Sequence, residues 1–265
     1  MNYKELCAEI KTELKDDARA YCRYLLDKNP EELLFDENEV PDGVLLKHAE
    51  YLKRIKEGEP IQYVFGYTPF YDMYLDCSPG VLIPRFDTEV LVEEAIKTLP
   101  QNACFADLCC GSGCIAAAVL KHREDMRALC LDISDKALEL TEKNIKKYNL
   151  QSRCRIQKFD VFGSWDNLPR FDAILCNPPY INAADMKTLP DNVLREPREA
   201  LYGGEDGLLF YREILKKSKN HFKSTPHIIF EIGYDQADGL RGLTDGKCKI
   251  KKDLSKNDRL CIIRG

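Results

Sequence analysis

Apolar positions recur at helical spacing through the first part of the chain. Tyr3, Leu6, Ile10 and Leu14 fall on one helix face; Tyr21, Tyr24 and Leu25, then Leu45, Leu46, Leu52 and Ile55, repeat the pattern. Asn29-Pro30 and Pro41-Asp42-Gly43 interrupt it. The pattern predicts a small helical bundle domain over residues 1–60. From there the rhythm changes. Pro60, Gly66, Pro69, Pro79 and Gly80 punctuate short aromatic, β-prone pieces, Gln62-Tyr63-Val64-Phe65 and Tyr71-Asp72-Met73-Tyr74, which predict a β-hairpin connector over 61–86.

Over residues 87–265, helix-period segments alternate with short apolar runs. Helices are predicted over 88–98, 114–121, 135–148 and 207–222, and strands over 103–108, 127–131, 154–159, 171–176 and 227–232. Strands alternating with helices imply a doubly wound, mostly parallel α/β sheet covered on both faces. Two more apolar runs, 247–251 and 260–264, lie close together and predict an antiparallel hairpin at one edge of that sheet.

Composition excludes several classes. Apolar residues make up 44% and charged residues 31%, as expected of a soluble globular chain. No apolar run approaches the roughly 18 residues a membrane span needs, and MNYKELCAEIKTELKDD lacks the apolar segment of a secretory signal. The twelve cysteines are scattered, several within apolar runs, and no CxxC pair recurs at zinc-like spacing. They read as reduced thiols of a cytoplasmic protein with no metal site. Residues 1–60 hold 10 Lys and Arg against 15 Asp and Glu, so the whole net charge of −5 lies there and the remainder balances at 29 of each. Such a segment repels a phosphate backbone and suits a protein partner, so no nucleic-acid substrate is expected.

The candidate chemistry sits at strand ends. Asp107-Leu108-Cys109-Cys110-Gly111-Ser112-Gly113-Cys114 follows the first strand of the sheet and opens a helix, where an open α/β sheet binds ligands. The third glycine of a dinucleotide fingerprint is absent, and so is a GxxxxGK[ST] loop; a nucleoside cofactor without a pyrophosphate fits better. Asp132 ends the second strand, 21 residues after Gly111, and is placed to accept hydrogen bonds from ribose hydroxyls. Helix capping at that point falls to Ser134 or Asp135. Asp160 follows the third strand and can accept from an adenine amino group, with Val161 or Phe162 covering the ring. These features point to S-adenosyl-L-methionine.

The fourth strand, Ala173-Ile174-Leu175-Cys176, stops at Asn177-Pro178-Pro179-Tyr180. The prolines fix φ near about −65° and donate nothing to a ladder. The Asn177 side-chain oxygen and the Pro178 carbonyl can take both N–H bonds of a planar amide or amine, and Tyr180 offers a flat face for it. Pro179 stiffens the turn. Methyl transfer to so poor a nucleophile depends on such positioning.

Asn177-Pro178-Pro179-Tyr180 combined with Asp-Leu-x-x-Gly-Ser-Gly resembles class I S-adenosylmethionine-dependent N-methyltransferases. Gly58-Glu59-Pro60-Ile61-Gln62-Tyr63, Gly66, Val81-Leu82-Ile83-Pro84-Arg85 and Thr88-Glu89 narrow the resemblance to the release-factor glutamine methyltransferase (HemK-like) family. So do Glu196-Pro197, Ala200-Leu201, Gly203-Gly204, Asp206-Gly207-Leu208, Glu231-x-Gly233, Asp253-Leu254 and Asp258-Arg259. That resemblance implies a Rossmann-like methyltransferase sheet. It also implies methylation of the glutamine side-chain amide in the Gly-Gly-Gln motif of class 1 peptide chain release factors. Cys109, Cys110, Gly111, Ser112, Gly113, Asp132, Val161 and Asn177 would then contact the cofactor. The stretch from Asn177 to Tyr180 would receive the glutamine, and the N-terminal bundle would dock the release factor. The family commonly carries Gly-Thr in place of Cys109-Cys110, Pro-Glu in place of Phe86-Asp87, and an aromatic residue at Val161. A nucleic-acid adenine N6-methyltransferase would use the same tetrapeptide on a flipped base, but the acidic N-terminal segment and the scarcity of cations near Asn177 oppose it. A ribosomal-protein glutamine methyltransferase shares the tetrapeptide; residues 58–89 favour the release-factor branch. A catalytically silent binding module would not need Asn177-Pro178-Pro179-Tyr180 and Asp132 intact.

Overall fold

The computed structural model describes all 265 residues and divides into two compact units, Met1–Phe65 and Gly66–Gly265. The first is helical: α1 (Tyr3–Leu14), α2 (Ala18–Leu26), α3 (Pro30–Leu33), α4 (Asp42–Lys56) and α5 (Ile61–Phe65). Two capping boxes start its helices. Asn2 accepts from the Glu5 amide at 2.8 Å while the Glu5 carboxylate takes the Asn2 N–H at 2.9 Å, and Asn29 with Glu32 repeats the device ahead of Pro30. Leu6, Ile10, Tyr21 and Leu33 form a fully buried core. Residues 62–65 are helical, against the β-prone reading. Their first turn bonds back to Pro60, through the Tyr63 and Val64 amides at 3.0 and 3.1 Å. Phe65 stacks on Tyr24 and meets Tyr21 and Tyr51 edge-on. Packing of that ring overrides the β preference of the aromatics.

The second unit opens with the antiparallel hairpin β1 (Tyr67–Phe70) and β2 (Met73–Asp76). Then α6 (Glu89–Thr98), β3 (Cys104–Leu108), α7 (Cys114–His122), β4 (Arg127–Asp132), α8 (Asp135–Lys147), β5 (Cys154–Lys158) and β6 (Ala173–Cys176) follow. After a long connection carrying α9 (Asp191–Leu194) come α10 (Leu209–Lys217), β7 (His227–Glu231), α11 (Ala237–Leu243), β8 (Lys249–Lys252) and β9 (Asp258–Arg264). Strand order in the seven-stranded sheet is β5-β4-β3-β6-β7-β9-β8. The first five are parallel; β9 runs antiparallel to β7 and β8. The expected terminal hairpin is present, with β9 inserted beside β7 and β8 outermost. The helix α11 has no counterpart in the sequence reading. Gly239 and Gly242 weaken its pattern, and a Cβ at Gly239 would stand 2.6 Å from the Leu208 side chain, so close packing selects the glycine.

Side chains alternate between the two faces of this sheet. Phe105, Cys130, Leu175 and Ile229 pack under α6, α7 and α8; Ala106, Leu108, Ile174 and Phe230 pack under α10 and α11. After β5 the chain returns to the other side of β3 to form β6. This reversal opens a crevice between the carboxyl ends of β3 and β6. Leu108 is paired with Cys176 there, so Cys109 and Asn177 leave the sheet side by side.

Candidate active site

The loop after β3 turns through three left-handed residues: Cys109 at φ 58°, Gly111 at 57° and Gly113 at 74°. Glycine adopts this region freely; a cysteine there costs about 1–2 kcal/mol. Gly113 is doubly constrained, because a Cβ would lie 2.8 Å from the Thr141 side chain. Helix α8 grips the loop from below: Thr141 Oγ1 donates to the Gly111 carbonyl at 3.0 Å, and Asn144 Nδ2 to the Ser112 carbonyl at 3.0 Å. The fully buried Asp107 accepts from the Ala116 amide in the first turn of α7 at 3.0 Å, while its other oxygen has no partner. Burial pushes its carboxyl from the ordinary value up to about 7.

Asp132 stands at the tip of β4 and accepts from the Gly111 amide at 2.9 Å and the Ser134 amide at 3.0 Å. It therefore clamps the glycine loop to the neighbouring strand. Burial raises its pKa, opposed by those amides. Ser134 supplies the cap of α8. Asp160, exposed beyond β5, accepts from the Phe162 amide at 2.8 Å. Val161 is buried, and Phe162 meets Phe210 edge-on at 5.0 Å between ring centres. Lys217 holds this bend by donating to the carbonyls of Val161, Phe162 and Gly163, and Trp165 Nε1 adds a bond to the Val161 carbonyl. Nothing in the spacing of the sequence singles out Thr141, Asn144 or Lys217; each acts through a backbone carbonyl.

The turn after β6 is wedged in place from behind. Gly203 fits against it so closely that a Cβ would lie 2.6 Å from Tyr180 Cα and 2.7 Å from the Pro179 carbonyl. Ile181 exchanges backbone bonds with Leu201 and Gly203, both at 2.9 Å. Gln236 donates to the Tyr180 carbonyl at 2.9 Å. Pro178 lies beyond the last ladder pair of β6 with its neighbours, so its carbonyl is outside the ladder. Asn177 Nδ2 donates to Thr88 Oγ1 at 3.2 Å. Tyr180 turns inward: its hydroxyl donates to the buried Glu231 at 3.4 Å, and burial, then that carboxylate, push its pKa up.

A cavity of about 230 Å³ joins these parts. Cys109, Cys110, Gly111 and Ser112 line it beside Asp132; Asp160, Val161, Asn177 and Pro179 complete the set of expected residues on its wall. Gly113, Pro178 and Tyr180 do not line it. Gly113 faces Thr141 and Tyr180 faces Glu231. The segment 80–85 closes one side and is tied to Glu196, which takes the Ile83 amide at 2.9 Å and pairs with Arg85.

Within this geometry the comparisons with known proteins fall into place. The family described as Methyltransferase small domain matches residues 85–223, and the one described as PrmC N-terminal domain matches residues 6–66. The release factor glutamine methyltransferase of Clostridium acetobutylicum is 33% identical over 260 residues, 94% of this chain and 91% of that protein. This chain belongs to the release factor glutamine methyltransferase family. The member from Aquifex aeolicus is 31% identical over 265 residues, 98% of this chain and 94% of that protein. A solved methyltransferase from Pyrococcus furiosus has the same fold, with a TM-score of 0.53 at 15% identity over 72% of this chain and 87% of that one. Membership in a methyltransferase family requires a methyl donor, and the crevice at the β3–β6 switch point is where this fold has room for one. No helix is long and apolar enough to cross a membrane.

Proposed function

We propose that the chain transfers a methyl group from S-adenosyl-L-methionine to the side-chain amide nitrogen of the glutamine in the Gly-Gly-Gln motif of class 1 peptide chain release factors. One observation carries the reading: the Asn177 carboxamide turns its nitrogen to Thr88, which leaves its oxygen for an amide donor beside the loop after β3. The cavity's donor set suits a nucleoside. It has the carboxylates of Asp132 and Asp160, the apolar cover of Val161 and Phe162, and a single lining cation, Arg85, already paired with Glu196. Bound there, the sulfonium cofactor supplies an electrophilic methyl carbon.

The chain's own residues do the rest. Asp132 accepts from the ribose hydroxyls with lone pairs that its two backbone bonds leave free. Asp160 accepts from the adenine amino group, Val161 and Phe162 cover the ring, and the loop 109–113 lies along the remainder. Asn177 Oδ1 and the Pro178 carbonyl accept the two amide N–H bonds, which sets the nitrogen lone pair toward the methyl carbon. As N–CH₃ forms and S–CH₃ breaks, the surplus amide proton leaves to water. Pro179 keeps the turn rigid, and Tyr180 fixes its exit. The helical unit, with its net charge of −5 over residues 1–60, docks the release factor, and the reaction belongs to the cytoplasm. Mass spectrometry of a release factor incubated with this protein and the cofactor should find one added methyl group on that glutamine. An unmodified glutamine, with cofactor binding verified by calorimetry, rules the proposal out.

A further inference from the structure

The charged residues on the cavity wall are Asp132, Asp160, Glu199 and Arg85. The proposed function uses Asp132 for the ribose and Asp160 for the adenine. Glu199 and Arg85 have no task in it. These two stand at one corner. Arg85 pairs with Glu196, and Glu199 follows closely along the chain in the short turn Arg198–Ala200.

That corner has a definite place along the crevice. The carboxyl ends of β5, β4, β3 and β6 succeed one another across the sheet. Asp160 lies beyond β5, Asp132 ends β4, the loop 109–113 follows β3, and Asn177 follows β6. Arg85 belongs to the β6 side: its carbonyl takes the Thr88 amide at 3.0 Å, and Thr88 Oγ1 takes the Asn177 Nδ2 hydrogen at 3.2 Å. A ligand with its adenine at Asp160 and its ribose at Asp132 therefore ends beside Arg85 and Glu199. In S-adenosyl-L-methionine the part beyond the sulfonium is an α-amino acid, with one carboxylate and one ammonium.

Arg85 suits the carboxylate. A guanidinium presents a planar fork of N–H donors that a carboxylate can take in pairs. Arg85 Nη2 donates to Glu196 Oε1; its Nε and Nη1 make no hydrogen bond, and the side chain is 37% exposed. Glu196 is buried and also takes the Ile83 amide at 2.9 Å. It anchors the guanidinium while leaving most of the fork unused. Neutralising Glu196 accounts for one donor and gives no reason for the others to stand open. Glu199 is exposed and its carboxylate has no bonded partner, so it is available to an ammonium.

We propose that Arg85 and Glu199 hold the amino-acid end of the cofactor: Arg85, oriented by Glu196, binds the α-carboxylate, and Glu199 binds the α-ammonium. The inference rests on the S-adenosyl-L-methionine site given under the proposed function. Holding the ligand at both ends fixes the methyl carbon between them, in front of Asn177.

Calorimetry with truncated ligands tests this on the whole chain and needs no acceptor. S-Adenosyl-L-homocysteine carries both tail charges, decarboxylated S-adenosylmethionine the ammonium alone, and 5′-methylthioadenosine neither. Wild type should bind S-adenosyl-L-homocysteine about tenfold or more tighter than 5′-methylthioadenosine. Arg85→Gln should weaken S-adenosyl-L-homocysteine by about tenfold or more and leave the other two ligands within about threefold of wild type. Arg85→Lys, which keeps a charge beside Glu196 but loses the fork, should fall between. Glu199→Gln should weaken both ligands that carry the ammonium and spare 5′-methylthioadenosine. Unchanged affinity for S-adenosyl-L-homocysteine in Arg85→Gln or Glu199→Gln overturns the role of that residue. Equal losses for S-adenosyl-L-homocysteine and 5′-methylthioadenosine overturn it too, because they mean that the side chain only shapes the cavity. Wild type that binds none of the three ligands sinks the cofactor reading itself; tight wild-type binding with indifferent variants removes this inference alone.

Discussion

Cys109 and Asn177 leave adjacent strands together, yet they are under different constraints. Cys109 is held at φ 58°, in a region that costs a non-glycine residue about 1–2 kcal/mol. Cys109→Gly relieves this but adds freedom to the unfolded chain, worth about 0.5–1 kcal/mol. The expected net gain is therefore between about 0 and 1.5 kcal/mol by urea denaturation, and a loss of stability would contradict the strain. Asn177 lines the cavity, and the role proposed for it is orientation of the acceptor amide. Asn177→Ala should abolish methyl transfer while calorimetry finds the cofactor still bound. Near wild-type turnover in that variant would remove Asn177 from the acceptor site.

At the scale of elements, the site is a seam between β3 and β4 as much as between β3 and β6. Asp132 joins the seam because its two oxygens take amides from both sides of it, Gly111 and Ser134. Asp132→Ala removes the charge-assisted acceptor proposed for ribose, worth roughly 1.5–3 kcal/mol, and also releases the loop. Calorimetry should find cofactor affinity reduced by about tenfold or more. Unchanged affinity would place the ribose elsewhere. The loop would still be gripped by Thr141 and Asn144 from α8, so thermal unfolding should remain cooperative.

For the whole molecule, two buried acids set a pH dependence of folding. Asp107 and Glu231 are each pushed up to about 7 by burial, from ordinary values of 3.8 and 4.5. Between the ordinary and the raised value the folded chain keeps a proton that the unfolded chain has lost. Their contribution to stability is thus full at low pH, falls as pH rises through that window, and reaches its floor above about 7. Asp107→Asn keeps an oxygen for the Ala116 amide and removes the titration. Calorimetric scans at about pH 5 and about pH 7.5 should show a smaller drop in Tm for Asp107→Asn than for wild type. An equal drop would mean that Asp107 does not carry the proton.

The alternating pattern of the sequence was enough for the parallel strands and for the terminal antiparallel pair, because period and burial on both faces are local signals. The same holds for the loop after β3 and the tetrapeptide after β6, whose glycines and prolines dictate backbone shape wherever they occur. Other features depended on what the chain meets when folded. Residues 62–65 became a helix because Phe65 found an aromatic partner in Tyr24. The helix α11 formed around Gly239, where Leu208 leaves no room for a side chain. Asp132 could be read as a ribose acceptor, but its clamp on Gly111 appears only once β3 and β4 lie together. Gly203, Gln236, Thr88 and Glu231 surround the tetrapeptide from positions up to 89 residues away in the chain. A motif records which atoms face a ligand; which way the Asn177 carboxamide turns is decided by contacts distant in sequence, and only the tertiary structure brings those together.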